Sequence, residues 1–144
     1  MNCNKPKWKR DKDKNVRRSS NVLHMSHCPR SVVTAKSGVT IVLQSYSNRY
    51  FLIISEAGSQ GLGTVIQVVK HQQTNGFEVG PNSTIYDVLI RFGNETPELL
   101  LAARMIASKV DFDKPVLFGL ALRRFDKELC EEICEEVKNI LKTF

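Results

Sequence analysis

The chain has 144 residues, of which 42% are hydrophobic and 25% charged, and its formal net charge is +6. These values are typical of one globular domain, and no run reaches the roughly 18 consecutive apolar residues that a membrane-spanning helix needs. The four cysteines are too sparse and uneven for a disulfide framework, and no secretory signal follows the basic N-terminus. We therefore expect a protein of a reducing compartment without a membrane partner.

Positive charge is concentrated at the N-terminus. Residues 1–30 hold nine of the 21 Lys and Arg but two of the 15 Asp and Glu, which leaves residues 31–144 with a net charge of −1. Apolar side chains in the first 30 residues recur with neither the period of two of a strand nor the period of 3.6 of a helix. We therefore predict a disordered basic tail at 1–30 and one folded domain at 31–144. A nucleic-acid partner is not expected, because the tail offers only Trp8 for stacking on bases.

The first part of the folded domain has the short, alternating apolar runs of β-strands. Ser47-Asn48 separates two such runs and predicts a hairpin turn. In the last of these runs, Ser83–Phe92, the side chains expected in the core are Ile85, Val88 and Ile90. The predicted strands are Ser31–Ala35, Val39–Tyr46, Arg49–Ser55, Thr64–Lys70 and Ser83–Phe92.

Helical periodicity appears only after these strands. A first helix is predicted after Asn94 or Thr96 as its N-cap, and a last one after Asp126. Between them, Val116–Leu122 is almost wholly apolar, which predicts a central strand covered on both faces. This order predicts an α+β fold: a largely antiparallel sheet of five to six strands followed by helix-strand-helix, with the helices packed on the sheet.

A glycine-rich loop lies between the third and fourth predicted strands. Its spacing, G-x-x-G-x-G, reverses the dinucleotide fingerprint and leads into a strand instead of a helix, so nucleotide binding is not predicted. We interpret it as an exposed connection. The loop comprises Ala57, Gly58, Ser59, Gln60, Gly61, Leu62 and Gly63.

No arrangement of reactive side chains predicts catalysis or metal binding. Cys130 and Cys134 lie one helical turn apart on the apolar stripe of the last helix, where core packing is expected. His71 has no evident acidic partner, and no serine has a nucleophile-elbow context. The tail residues that could bind zinc fit no standard spacing: Cys3, His24, His27 and Cys28. We therefore expect a protein without cofactor or enzymatic activity that binds partners through its surface.

Several segments of residues 31–144 occur in an informative order. Gly38-Val39-Thr40 leads into a strand, Gly63-Thr64-Val65 begins another, and Tyr86–Arg91 precedes Glu98-Leu99. The apolar run Pro115–Leu122 and a terminal helix follow. In the order of these segments and in their pattern of residues, the chain resembles the eukaryotic proteasome assembly chaperone 3 family.

The resemblance implies a chaperone that promotes assembly of the α-subunit ring of the 20S proteasome together with a sister subunit of similar fold, assembly chaperone 4. It implies no catalytic residues, and it implies the cytoplasm, with the nucleus as a further location. The loop Ala57–Gly63 would contact an α-subunit, although it lacks the aromatic residue and the lysine that the family leads us to expect. A small adaptor of roadblock or longin type is the alternative.

A dimer interface is predicted near the last strand and helix, whose apolar surface exceeds what the preceding segments would cover. Charged side chains at its rim would set the orientation of the partner. In the alternative arrangement, the last helix closes the sheet of its own subunit. The interface candidates are Arg123, Arg124, Glu132 and Glu136.

The tail is predicted to be separable from the folded domain. Deletion of residues 1–30 should leave the melting temperature and partner binding essentially unchanged, because this segment has no core-forming pattern. Differential scanning calorimetry of the truncated and full chains checks this. A fall in melting temperature of more than a few degrees would show that the tail packs on the domain.

Overall fold

Residues 30–59, 61–72 and 84–144 are described in the computed structural model. The strands are β1 (Arg30–Thr34), β2 (Thr40–Ser45), β3 (Tyr50–Ser55), β4 (Thr64–Gln72), β5 (Thr84–Phe92) and β6 (Val116–Ala121). The helices are α1 (Pro97–Val110) and α2 (Lys127–Leu141). This confirms the predicted α+β fold. The basic tail up to residue 29, with its candidate metal ligands, and Gln60 lie outside the described residues.

The six strands form one sheet in the order β1-β2-β3-β6-β4-β5. β6 enters between β3 and β4 and runs parallel to β3, whereas every other neighbouring pair is antiparallel. β5 and β6 are both antiparallel to β4 and therefore parallel to each other, so α1 is the crossover helix that joins them. β6 thus has the central position that its apolar sequence predicts.

Both helices pack on the same face of the sheet, which we call the helix-covered face. α1 contacts β4, β5 and β6, and α2 contacts β2 and α1. The side chains between sheet and helices form one buried cluster. On the sheet it includes Ile41, Leu43, Leu52, Ile54, Ile66, Val68, Phe118 and Leu120. Neither described helix is long and apolar enough to cross a membrane.

Local signals explain how the two helices begin. Asp126 is the N-cap of α2, and its carboxylate accepts a hydrogen bond of 2.8 Å from the backbone N–H of Leu129, as predicted. Thr96 occupies the N-cap position of α1, but its side chain makes no capping hydrogen bond. Pro97 follows at the first helical position, where its fixed φ suits the helix and its missing N–H is not needed.

The prediction that β6 is covered on both faces is not met by the described residues. Val116, Phe118 and Leu120 are buried beneath the helices, whereas Leu117 and Ala121 on the opposite face are only half-buried. The two described helices form a single layer, so neither of them lies over the second side of β6. An apolar run therefore indicated a central strand correctly but did not reveal what covers its second face.

The alternation of core-facing and exposed side chains along β5 also differs from the prediction. Ile85 is 41% exposed, and Tyr86 instead joins Val88 and Ile90 against the core. These three residues share one side of the strand because side chains alternate with a period of two. A bulge between the pairs Ile66–Ile90 and Val65–Phe92 then shifts the phase, so that Phe92 lies on the side away from the helices.

We predict that equal truncations of two phenylalanines will have very different costs. Phe118→Ala should lower the free energy of unfolding by about 3 to 5 kcal/mol, because Phe118 is fully buried and packs edge-on against Phe112. Phe92→Ala should change it by less than about 1 kcal/mol, because Phe92 is 73% exposed. Urea denaturation measures both, and equal losses would contradict this assignment of the core.

Candidate functional site

The face of the sheet opposite the helices carries many apolar side chains, and we call it the open face. Cross-strand partners share a face, so the register assigns the members: Phe51 pairs with Leu117, and Val42 pairs with Ile53. The apolar residues of the open face are Val32, Val42, Phe51, Ile53, Val65, Val69, Ile85, Leu89, Phe92, Leu117 and Ala121. The exposed ones lie towards the two edges of the sheet, with Val32 at 56% and Leu89 at 51%.

Polar groups also lie on the open face: the register places Thr40, Gln44 and Ser55 there, and two further pairs of polar side chains contact each other across β4 and β5. His71 Nε2 lies 2.9 Å from Asp87 Oδ2 across β4 and β5, with both side chains more than half exposed. Arg91 Nε donates to Gln67 Oε1 at 2.9 Å. The expectation that His71 has no acidic partner is therefore wrong, because strand register places Asp87, 16 residues away, diagonally across from it on β5. An apolar centre with a partly charged border is typical of a protein interface.

The glycine loop crosses the end of β6 on its way from β3 to β4. At its start, the backbone N–H of Glu56 donates to Ala121 O at 3.1 Å, and Ser59 Oγ donates to Glu56 O at 2.7 Å. Glu56 Oε1 also accepts hydrogen bonds from the backbone N–H groups of Arg123 and Arg124, at 3.0 and 3.4 Å. These bonds attach the first part of the loop to the connection between β6 and α2.

The loop rejoins the sheet at a position that requires glycine. Gly63 has a φ of +64°, and a Cβ there would overlap the carbonyl of Leu120. The next residue, Thr64, is buried and donates its hydroxyl to Asn94 O at 3.1 Å. Leu62, two residues before Thr64 in the chain, lies over Gly119 on the open face. The described part of the loop is thus held at both ends.

The structure brings the start of the glycine loop close to three of the four interface candidates. An open cleft of about 580 Å³ is lined by Ala57 of the glycine loop and by Arg123, Arg124 and Glu132, three of the four interface candidates. Glu136 lies one turn further along α2 and is not among its lining residues. Hydrogen bonding from Ser37, whose backbone N–H lies 3.2 Å from Glu132 Oε1, lowers the pKa of that carboxyl. A charged cleft therefore adjoins the loop.

The two cysteines of α2 belong to the core, as predicted. Both are buried free thiols. Burial raises the pKa of Cys130 and raises that of Cys134 to about 12, so both thiols are protonated at neutral pH. This pair therefore contributes packing and not a reactive thiolate.

Sequence reasoning missed the open face, although a signal for it was present. Several residues of β2, β3 and β6 that alternate with the core positions are also apolar, where a sheet facing water would carry polar ones. Val42, Phe51 and Leu117 are examples. Runs that are apolar at nearly every position in the neighbouring strands β3 and β6 indicate that both faces of the sheet will be covered there.

A sheet with helices on one side, an apolar second side and an adjoining loop defines a binding scaffold of the kind that works through protein contacts. Comparison with known proteins identifies the family within this class. Residues 52–140 match the model of the family described as proteasome assembly chaperone 3, so the chain belongs to this family, as its sequence predicted.

A solved structure has a similar fold. It is described as "Crystal Structure of a Novel Chaperone Complex for Yeast 20S Proteasome Assembly", and the similarity covers 77% of this chain and 94% of that chain. The TM-score is 0.52 and the sequence identity 12%, so this likeness concerns the fold alone. Among curated proteins, no match to the chain is found.

The geometry of the loop predicts unequal effects of two glycine substitutions. Gly63→Ala should lower the free energy of unfolding by about 3 kcal/mol, because left-handed strain and overlap with Leu120 O act together. Gly58→Ala should cost about 1 kcal/mol, because its φ is also positive but the space around it is open. Thermal unfolding of both variants provides the measurement. Similar losses would mean that the loop does not close on β6 at Gly63.

Proposed function

We propose that this protein is a chaperone for assembly of the 20S proteasome, and that it pairs with a sister chaperone of similar fold through its open face. The glycine loop and the adjoining cleft then contact a proteasome α-subunit. Membership of the family supports the chaperone role, and the observation that carries the mode of action is the open face, whose apolar side chains neither described helix covers. In this function the chain acts by binding and not by catalysis.

The size and chemistry of the open face suit a partner sheet. Six strands about 4.8 Å apart and about 20 Å long make a face of several hundred Å², which is large enough to contain an apolar patch of the size that marks interaction sites. Two sheets pack face to face about 10 Å apart with interdigitating side chains. A sister chaperone with the same apolar second face would satisfy this requirement, and both helix layers would then lie on the outside.

The helix α2 is the competing place for pairing. Its apolar stripe is already used by its own subunit, since Ile133 and Val137 are fully buried. Its outer side carries Glu131, which lies 3.5 Å from Lys109 and 3.9 Å from Lys127. Surface ion pairs of this kind contribute about 0 to 1 kcal/mol each. The open face therefore has the stronger driving force, although Arg123, Arg124, Glu132 and Glu136 remain candidates for contacts with a partner.

The loop and cleft suit the contact with an α-subunit. They lie at the end of the sheet where β3, β6 and the β1–β2 turn converge, and loops carried by a rigid scaffold are common binding elements. The cleft includes both signs of charge, with Arg123 and Arg124 beside Glu56 and Glu132. A charged contact can be specific without high affinity, which a chaperone that must leave its client requires. The cytoplasm and the nucleus are the proposed locations.

Two charge-changing double variants distinguish the two pairing surfaces. Leu89→Glu with Phe92→Glu should abolish pairing with co-expressed assembly chaperone 4, because it places charges in the apolar face. Glu132→Lys with Glu136→Lys should retain it, because α2 would lie outside the interface. Both sets of side chains are at least partly exposed, so circular dichroism should be unchanged in both. Size-exclusion chromatography reads out pairing, and the reverse pattern would move the interface to α2.

A further inference from the structure

We propose that Leu62 anchors the glycine loop to the open face, so that a partner seated on this face holds the loop in place for the α-subunit. This inference rests on the proposed function, since it requires pairing through the open face. Leu62 would then be a positioning residue: it acts on α-subunit binding by fixing the loop. Pairing and α-subunit binding would be coupled through one side chain.

The first observation is that Gly119, which has no side chain, leaves space on the open face of β6 for the loop. A Cβ at position 119 would lie 3.2 Å from Leu62 O, 3.6 Å from Leu62 Cδ2 and 3.7 Å from Ile53 Cγ1. Gly119 pairs with Ile53 and Val65 and is buried although neither described helix lies on its open-face side. The absence of a side chain in the middle of β6 therefore lets the loop lie directly on the sheet.

The second observation is that Leu62 is only partly covered. Its exposed fraction is 44%, although it contacts the sheet at Gly119. It is also the one large apolar side chain among residues 57–63. A second sheet packed on the open face would cover the remaining surface of Leu62, and burial of a leucine contributes about 1.5 to 3 kcal/mol in full.

The consequence is a thermodynamic coupling. The ends of the loop are fixed at Glu56 and Gly63, so the position of Leu62 decides where the segment between them lies. A partner that favours the docked position of Leu62 also favours the loop conformation that goes with it. By linkage, an α-subunit that binds this conformation must in turn strengthen pairing by the same factor.

The test compares the full-length wild type with Leu62→Ser and with Leu62→Met as the matched control. Backbone hydrogen exchange of residues 56–63 is measured with and without recombinant assembly chaperone 4. Affinity for the 20S α-subunits is measured in the same two states. In the wild type and Leu62→Met, pairing should slow exchange in the loop and raise α-subunit affinity by about tenfold. In Leu62→Ser, pairing should still form on size-exclusion chromatography, but both effects should be lost.

Three results would overturn the inference. Pairing without any change in exchange at residues 56–63 would show that the partner does not act on the loop, while the proposed function would stand. Full coupling in Leu62→Ser would show that another residue carries it. If the wild type did not pair on size-exclusion chromatography, both this inference and the pairing in the proposed function would be contradicted.

Discussion

Two helices cannot cover both faces of a six-stranded sheet. In this chain α1 and α2 occupy one face, where they bury a continuous cluster from Ile41 on β2 to Ile66 on β4. The other face is apolar as well, with Phe51 and Leu117 side by side at its centre. The free energy of burying this second face is not realised within the described chain, and it is available for association. The function proposed for the protein follows from this imbalance.

The position of β6 connects this constraint to the binding loop. Because β6 lies between β3 and β4, the chain leaving β3 must cross the end of β6 before it can begin β4. The crossing is possible because Gly119 offers no side chain to the loop and Gly63 tolerates both a positive φ and contact with Leu120. The element that would meet an α-subunit is therefore built on the same face that would meet a sister chaperone.

Much of the fold could be predicted from the sequence, because periodicity is a local property. The alternating runs placed the strands within one or two residues, and Asp126 marked the start of α2 correctly. The insertion of β6 between β3 and β4 could not be predicted, since it depends on contacts between distant segments. The phase shift at the bulge before Phe92 was missed for the same reason, as was the pairing of His71 with Asp87.

The candidate site was predicted only in part. The glycine loop and three of the four interface candidates adjoin one cleft, but nothing in their spacing indicated that Glu56 would bind the backbone of Arg123 and Arg124. The open face was missed because the second sides of the strands, apart from that of β6, were not assessed. A surface of this kind becomes visible only when register places the second sides of neighbouring strands together.

Site-specific photo-crosslinking tests the central claim most directly. A benzophenone amino acid is placed at Phe92, on the open face, or at Arg104, an exposed position of α1, and the chain is irradiated with assembly chaperone 4. The account predicts a crosslinked heterodimer from position 92 and none from position 104. A crosslink from position 104 alone would contradict pairing through the open face.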